Sequence, residues 1–335
     1  MEASIKNPKY RCTIKTKSGT YNVSDILTGL TITENKDDLA RGAILMIPNL
    51  KDHKKYIYNY VKVRDSVFIS CDTGKGYEEI FRGTIWDLNY VSDKTKDFTM
   101  IAYDRLIYLQ NTKDNFFFAK GKSTKSILKT ICKRWGVKLD FQYESITHRR
   151  KIIREVCVSD AILEILEEVR KKTGTKYVIF FEKGIMTIRK RGQNKKIYRI
   201  DSKESALKET TKVTMNGMIT KVAIYREQEM QGAKEMPPKR VTVVKGDTKT
   251  YGTLQEILIR EPDDTKSVQA KKEARDLIKD YGKPQYERTL EAVNHPYVRK
   301  GDKIRSNAGA LEGYYTVIGA EHDCLKGVMV LEVEK

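Results

Sequence analysis

The stretch Phe81-Arg82-Gly83-Thr84-Ile85, followed after a polar turn by Phe98-Thr99-Met100-Ile101-Ala102-Tyr103-Asp104-Arg105-Leu106-Ile107-Tyr108-Leu109, decides how the rest of the chain is read. Apolar side chains recur at every second position in both segments, and Ser92-Asp93-Lys94 lies between them, so they predict a β-hairpin with one buried face. Working back towards the N-terminus, the same period marks strands at 11–16 and 21–23 around Lys17-Ser18-Gly19, then at 28–33 and 42–47. A further strand is expected over 61–71, with Val61, Val63, Val67 and Ile69 on one face, before the turn Asp72-Thr73-Gly74-Lys75-Gly76. Short strands with polar turns at close spacing predict a small barrel or sandwich over residues 1–110.

Past Leu109 the period changes to that of helices. Ser123 is placed to cap a helix that buries Ile127, Leu128, Ile131, Cys132 and Trp135 and ends at Gly136. Ser159 is read as the cap of a second helix, with Ile162, Leu163, Ile165, Leu166 and Val169 buried and Glu167 and Glu168 facing Lys171 and Lys172. A strand pair at 177–181 and 185–189 completes an α/β domain expected at 111–203. Residues 204–335 are expected to form a second β-domain, with a clear strand at 218–225, a polar loop near 227–240 and a helix near 267–281. That helix carries Ala270, Ala274, Leu277, Ile278 and Tyr281 on one stripe. The fold class expected is α+β, mainly β.

The two β-rich ends resemble each other. Asp65-Ser66-Val67-Phe68-Ile69 reads like Asp302-Lys303-Ile304-Arg305-Ser306, and Phe81-Arg82-Gly83-Thr84-Ile85 like Leu311-Glu312-Gly313-Tyr314-Tyr315. This pairs Gly83 with Gly313, although the spacing from aspartate to glycine differs between the copies. Two related domains per chain allow three chains to imitate an object with six similar parts.

Composition restricts the chemistry. A formal charge of +19, from 64 Lys and Arg against 45 Asp and Glu, suits a nucleic acid, an anionic surface or an acidic partner, but the cations are spread along the chain as on solvated faces. Cys12, Cys71, Cys132, Cys157 and Cys324 stand far apart, without the close spacing of metal or redox motifs. The four histidines form no HExxH spacing, and no run of about 18 apolar residues is present to cross a membrane. Asp72-Thr73-Gly74 has the letters of an aspartic protease turn but occurs once and reads as a hairpin tip. Gly121-Lys122-Ser123 lacks the first glycine of a phosphate loop and reads as a helix cap. The runs His148-Arg149-Arg150-Lys151 and Arg189-Lys190-Arg191, near Tyr143 and Tyr198, are the candidates for single-stranded nucleic acid.

The segment Ala102 to Leu109, with Phe81-Arg82-Gly83 before it and the helix after Ser123 behind it, resembles the XkdQ/YqbQ proteins of contractile phage tails and tail-like bacteriocins. Lys300-Gly301-Asp302-Lys303-Ile304, Leu311 to Val317 and His322 are similar to the wider late-control-D baseplate hub group. The resemblance implies two similar β-barrel tube domains flanking the α/β middle domain, in a homotrimer whose pseudo-sixfold ring joins the hexameric tail tube to the trimeric puncturing spike. It implies a structural protein with no enzymatic activity and no cofactor, made in the bacterial cytoplasm and built into the baseplate. The implied partners are itself, the tail tube protein, the spike protein and a LysM-bearing or wedge baseplate protein. No membrane is implied, and nucleic acid only where DNA passes through the lumen. Asp65, Phe81, Gly83, Tyr103, Asp104, Asp302, Gly313 and His322 carry the repeat and the resemblance; no catalytic, cofactor or metal residue is expected. Two other readings stay open, a basic nucleic-acid-binding module and a tail-associated peptidoglycan hydrolase whose carboxylate pair the fold would have to assemble.

Overall fold

The computed structural model describes residues 8–52, 55–91, 97–143, 145–228, 236–260 and 267–335. The expected turn at Ser92-Asp93-Lys94 and positions 229–235 of the expected polar loop lie outside the described residues. The chain divides into two compact units, one made of residues 1–210 and 289–335, the other of 211–288.

The larger unit is mainly β. Its first part contains β1 (Lys9–Lys15), β2 (Thr20–Asn22), β3 (Gly29–Glu34), β4 (Gly42–Pro48), β5 (Ser66–Asp72), β6 (Tyr77–Tyr90) and β7 (Asp97–Tyr103). Alternation does the sorting: Leu30 and Ile32, Ala43, Leu45 and Ile47, Val67 and Ile69, and Phe98, Met100 and Ala102 all enter one buried cluster. Two expectations are corrected here. The strand predicted over 61–71 begins only at Ser66, because Lys62–Asp65 forms a turn whose third residue, Arg64, has φ 73°. The alternation quoted up to Leu109 ends at Tyr103, where the Asp104 carboxylate accepts the Leu106 N–H (2.9 Å) and starts the helix α1 (Leu106–Gln110).

The middle part holds β8 (Lys113–Phe118), α2 (Thr124–Arg134), β9 (Lys138–Phe141), β10 (Lys151–Cys157), α3 (Val158–Thr173), β11 (Tyr177–Glu182) and β12 (Ile185–Lys190). Ser123 does cap α2, accepting the Ser126 N–H at 3.2 Å, and Gly174 (φ 73°) ends α3. The cap of α3 is Cys157 rather than Ser159, and Leu163 is exposed rather than buried. Glu167 pairs with Arg170 instead of Lys171, while Glu168 turns to Lys151 and His148. The apolar faces of α2 and α3 share a core with Phe116, Phe118, Phe141 and Ile188.

The chain then returns to the β part through β13 (Tyr198–Asp201) and β14 (Ala206–Thr214). The smaller unit contains β15 (Lys221–Arg226) between antiparallel β16 (Lys239–Lys245) and, after α4 (Thr248–Tyr251), parallel β17 (Gln255–Arg260). Its helix α5 (Ser267–Tyr281) buries Ala270 and Ala274 against Val222 and Ile224, with Leu277 and Ile278 alongside, whereas Tyr281 of the expected stripe is exposed. Strands β18 (Gln285–Val293), β19 (Lys303–Ala308), β20 (Leu311–Asp323) and β21 (Val328–Glu334) end the chain.

Hydrogen bonding links the first and last β parts into one 13-stranded sheet, in the order β14-β18-β21-β20-β3-β4-β7-β6-β5-β1-β2, with β19 on β20 and β13 on β19. The seam is antiparallel: Ala320, Glu321, His322 and Asp323 of β20 face Glu34, Thr33, Ile32 and Thr31 of β3. On either side of it the ladders repeat residue for residue from the turn onwards, until β5–β6 shifts register between Ile69 and Ser70 where β19–β20 runs on regularly. Ser66 faces Thr84 and Thr84 faces Tyr103; Lys303 faces Thr316 and Thr316 faces Glu334. The same one-residue irregularity follows in both, between Ile85 and Asp87 and between Val317 and Gly319. The turns before them also match. Asp65 N–H donates to Lys62 O (3.1 Å) and Asp302 N–H to Arg299 O (3.0 Å), while each aspartate carboxylate accepts the first N–H of its turn, Lys62 at 2.7 Å and Arg299 at 2.9 Å.

Candidate functional site

Asp65 and Asp302 are therefore equivalent, as their sequence context suggests, but Gly83 and Gly313 stand two residues out of register: Gly83 corresponds to Tyr315 and Gly313 to Phe81. They do different work. A Cβ on Gly83 would lie 2.6 Å from the Tyr103 carbonyl oxygen, so this glycine permits close packing; Gly313 meets nothing within 4 Å but has φ 119°. Phe81 is buried in the first core, and Tyr103 closes β7 beside the middle core.

The other sequence-predicted residues, Asp104, Asp302 and His322, come together around a buried group of charges. Glu34 ends β3 in the inward phase set by Leu30 and Ile32, which puts a carboxylate where an apolar residue is the rule. Arg299 answers it from the turn before β19, with Nη2 at 2.7 Å and Nε at 3.2 Å from Oε1, and extends Nη1 to Glu182 Oε1 at 2.6 Å. Arg41 lies 3.9 Å from Glu34 and donates through Nη1 to the Ile80 carbonyl. Lys300 gives its N–H to Glu34 and its Nζ to the carbonyls of Asn35 and Asp38. Asp104 accepts the N–H groups of Arg41 (3.2 Å) and Leu106, and His322 meets Asn294 through Nδ1 at 2.7 Å. Glu34, Arg41, Glu182 and Arg299 were not singled out in the sequence; the one local signal was a charge in the buried phase of β3.

Burial alone would raise the Glu34 carboxyl, but the guanidinium charges of Arg299 and Arg41 outweigh it and hold it at about 2, below the usual 4.5. Burial dominates at Asp104, which is pushed up to about 7 against its two N–H donors, and at Asp302, raised to about 6. Burial with the nearby Arg41 charge drops His322 to about 4, so the imidazole is neutral. For Asp104 the folded value exceeds the unfolded 3.8, so its contribution to stability is fully present below about pH 4 and is lost as pH rises through 7. We expect Asp104→Asn, read against the wild type by urea denaturation, to lose ground steadily as pH falls from 8 to 5; a stability difference independent of pH would show that Asp104 titrates normally.

A cavity of about 270 Å³ opens beside these charges, lined by Arg41, Glu78, Asp104, Glu182, Tyr297 and Arg299 among others. Three of its carboxylates are engaged: Glu182 with Arg299 and Arg189, Glu79 with Arg82, and Asp104 with backbone N–H groups. The arrangement holds three parts of one unit in place, since Glu34, Glu182 and Arg299 come from the first, middle and last segments of the chain.

A second constellation has the form of a nucleophilic triad. Thr124 Oγ1 lies 2.8 Å from His148 Nε2, and His148 Nδ1 lies 2.5 Å from Glu168 Oε2. Thr124 and His148 are both buried, so no substrate carbonyl reaches the hydroxyl. The chain of bonds instead pins the segment before β10 to α2 and α3. This also disposes of much of the basic run at 148–151, because Lys151 is paired with Glu164 and Glu168. In the second run Arg189 pairs with Glu182 and Arg191 with Glu334, while Lys190 lies over the Tyr143 ring. All five cysteines are free thiols, four of them buried. Among the described residues no group of three His, Cys, Asp or Glu is placed to hold a metal ion.

A family model described as YQBQ-like matches residues 53–334. No curated protein matches the sequence. Among solved structures, the tail protein from Neisseria meningitidis MC58 is similar at a TM-score of 0.66 and 12% identity, over 97% of this chain and 96% of that one. The 43 kDa tail protein of prophage MuSo2 from Shewanella oneidensis gives 0.66 and 13%, over 97% and 98%. The E. coli c3393 protein, a type VI secretion component with structural similarity to the T4 bacteriophage tail proteins gp27 and gp5, gives 0.54 and 8%, over 92% and 73%. At such identities the likeness is one of fold.

Proposed function

Because the chain belongs to the YQBQ-like family, we propose that it is a structural subunit of a phage-type tail, the baseplate hub of a contractile tail or tail-like bacteriocin. In this reading residues 1–110 and 204–335 are two tube domains, the second carrying 211–288 as an insertion, and 111–203 is the middle domain. Three copies form a ring of six similar β units, so that one face matches a hexameric tail tube and the other a trimeric spike. The middle domain lies outside the ring, towards wedge or LysM-bearing partners. The chain acts through its surfaces rather than through a reaction.

The observation that carries this reading is the matched pair of ladders, β5-β6-β7 and β19-β20-β21, with the same turn before each and the seam β3–β20 between them. A chain that needed only a barrel would need only one. A buried charge group that ties both ladders to the middle part fits a component whose two halves must keep a fixed relation under load.

Co-expression with the spike and tail tube proteins of the same particle, followed by native mass spectrometry, tests the proposal. The expected result is three copies of this chain per three copies of the spike. A chain that stays monomeric in every mixture would sink the hub reading.

A further inference from the structure

The seam inside the chain has two counterparts at its ends. On β20 the outer edge is covered in two stretches: β19 pairs with Leu311–Thr316, and β3 pairs with 320–323. On β6 the equivalent edge is covered only in its first stretch, where β5 pairs with 77–84. Its second stretch, Asp87, Leu88, Asn89 and Tyr90, has β7 on one side and no strand on the other among the described residues. The exposures agree with an uncovered edge: His322 is 2% exposed under β3, whereas its counterpart Tyr90 is 40% exposed, with Tyr58 stacked on its ring.

The missing complement stands at the other end of the sheet. Strand β18 holds against β21 the place that β4 holds against β7, with Leu290 facing Leu331 as Leu45 faces Met100. The neighbour of β4 is β3; the neighbour of β18 is β14, which ends the sheet and leaves Leu207 55% exposed. The chain thus carries one open edge shaped like that of β3 and one shaped like the far half of β20. Lysines 208 and 212 on β14 are the charges that keep such an edge from pairing at random.

Resting on the ring reading above, we infer that β14 of one copy adds to the far half of β6 in the next copy, repeating between chains the β3–β20 seam found within each. The contact is heterologous, so it passes from copy to copy until the ring closes. The register follows from the ladders. The Val293 N–H to Ser205 carbonyl bond (2.8 Å) starts β14 on β18; Ala206 and Glu209, three residues apart, then both turn to the last core, and Lys212 pairs with Glu287 at 2.8 Å, so the ladder slips by one and puts Thr211 and Lys212 where β3 has Ile32 and Thr33. Asn89 then faces Lys212 as Glu321 faces Thr33, and Tyr90 faces Thr211 as His322 faces Ile32. Within the chain the Cys324 N–H donates to Leu30 O (2.8 Å), so even-numbered residues of β20 aim their N–H groups at the seam. By the same alternation Leu88 and Tyr90 aim theirs at the open edge. Asn89 and Lys212 form a pair without mutual hydrogen bonds, the closer kind, within reach of a disulfide.

The test uses the full chain co-expressed with spike and tube. The double variant N89C/K212C, oxidised, is expected to give covalent dimers and trimers on a non-reducing gel, with neither single variant doing so. Tyr90→Pro, which removes an outward N–H and leaves the β7 ladder intact, is expected to abolish the trimer while the monomer keeps its melting temperature. A trimer that tolerates Tyr90→Pro and shows no cross-link overturns this seam and leaves the hub reading standing. A cross-link from either cysteine to the tube or spike protein overturns the choice of a second copy as occupant. A wild-type chain that never assembles overturns both.

Discussion

Arg299→Met is expected to lower the free energy of unfolding by about 3–5 kcal/mol, the range for removing one partner of a buried ion pair. The cost comes less from the lost attraction than from the carboxylate left behind. Glu34 is buried at the inner end of β3, and Arg299 supplies its bidentate partner; the remaining guanidinium, Arg41, is 3.9 Å away and also held by the Ile80 carbonyl. Methionine fills much of the arginine's volume, so packing loss is kept small and the charge effect is what is read. The double variant Glu34→Gln with Arg299→Met is expected to recover a large part of the loss, because no bare charge remains. Acid dependence supplies a second reading. The folded Glu34 value, about 2, lies below the unfolded 4.5, so its contribution is present above pH 4.5 and fades as pH falls towards 2. In Arg299→Met that acid limb is expected to flatten. Urea midpoints of the three proteins at pH 3 to 7 decide the matter; an Arg299→Met chain as stable as wild type would show that the group is solvated in practice.

Gly301→Ala is expected to cost about 2–4 kcal/mol, whereas Arg64→Gly at the equivalent turn position is expected to change stability by less than about 1 kcal/mol. Both residues occupy the left-handed region, Gly301 at φ 91° and Arg64 at φ 73°. Both N–H groups make the same bond, to Val317 O at 2.7 Å and to Ile85 O at 2.8 Å. The difference lies in what surrounds them. A Cβ on Gly301 would stand 2.5 Å from Val178 Cγ1, a buried side chain of β11, so the substitution adds overpacking to backbone strain. Arg64 is exposed and already carries a side chain through the turn. Thermal unfolding of the two variants separates the terms. Equal losses at both sites would mean that the backbone conformation alone matters and that β11 yields.

The strands of the first and last parts were legible because their cores are one-sided: Leu30 and Ile32, or Leu45 and Ile47, alternate without interruption. Where alternation misled, a local turn had overridden it. Val61, Val63, Val67 and Ile69 keep period two, yet Arg64 breaks the strand with a positive φ that no composition rule for arginine announces. Asp104 similarly ends β7 by taking up the Leu106 N–H, and the apolar residues beyond it change from strand to helix. The repeat was half legible. Its aspartates sit in equivalent turns, but matching glycine to glycine puts the second strand two residues out of register, since identity of residue is a weaker guide than identity of ladder. The charge group was hardly legible at all. Glu34, Glu182 and Arg299 lie far apart in the chain and are joined only by the tertiary fold, so a lone carboxylate in an apolar phase was the whole of the signal.

The seam between β3 and β20 also sets an order of events during synthesis. Glu34 and Arg299 are 265 residues apart, which at the usual ~5–20 residues per second separates their emergence from the ribosome by roughly 13–50 s. Throughout that interval β3 has an unpaired edge and a carboxylate without its bidentate partner. The nascent N-terminal half is therefore exposed to premature pairing with another nascent chain, and the inward charge on β3 works against a stable mistake. Only when the last hairpin arrives, bringing β20 with the arginine just ahead of it, can both defects be cured at once. The first strands are in this sense locked by the hairpin of β20 and β21.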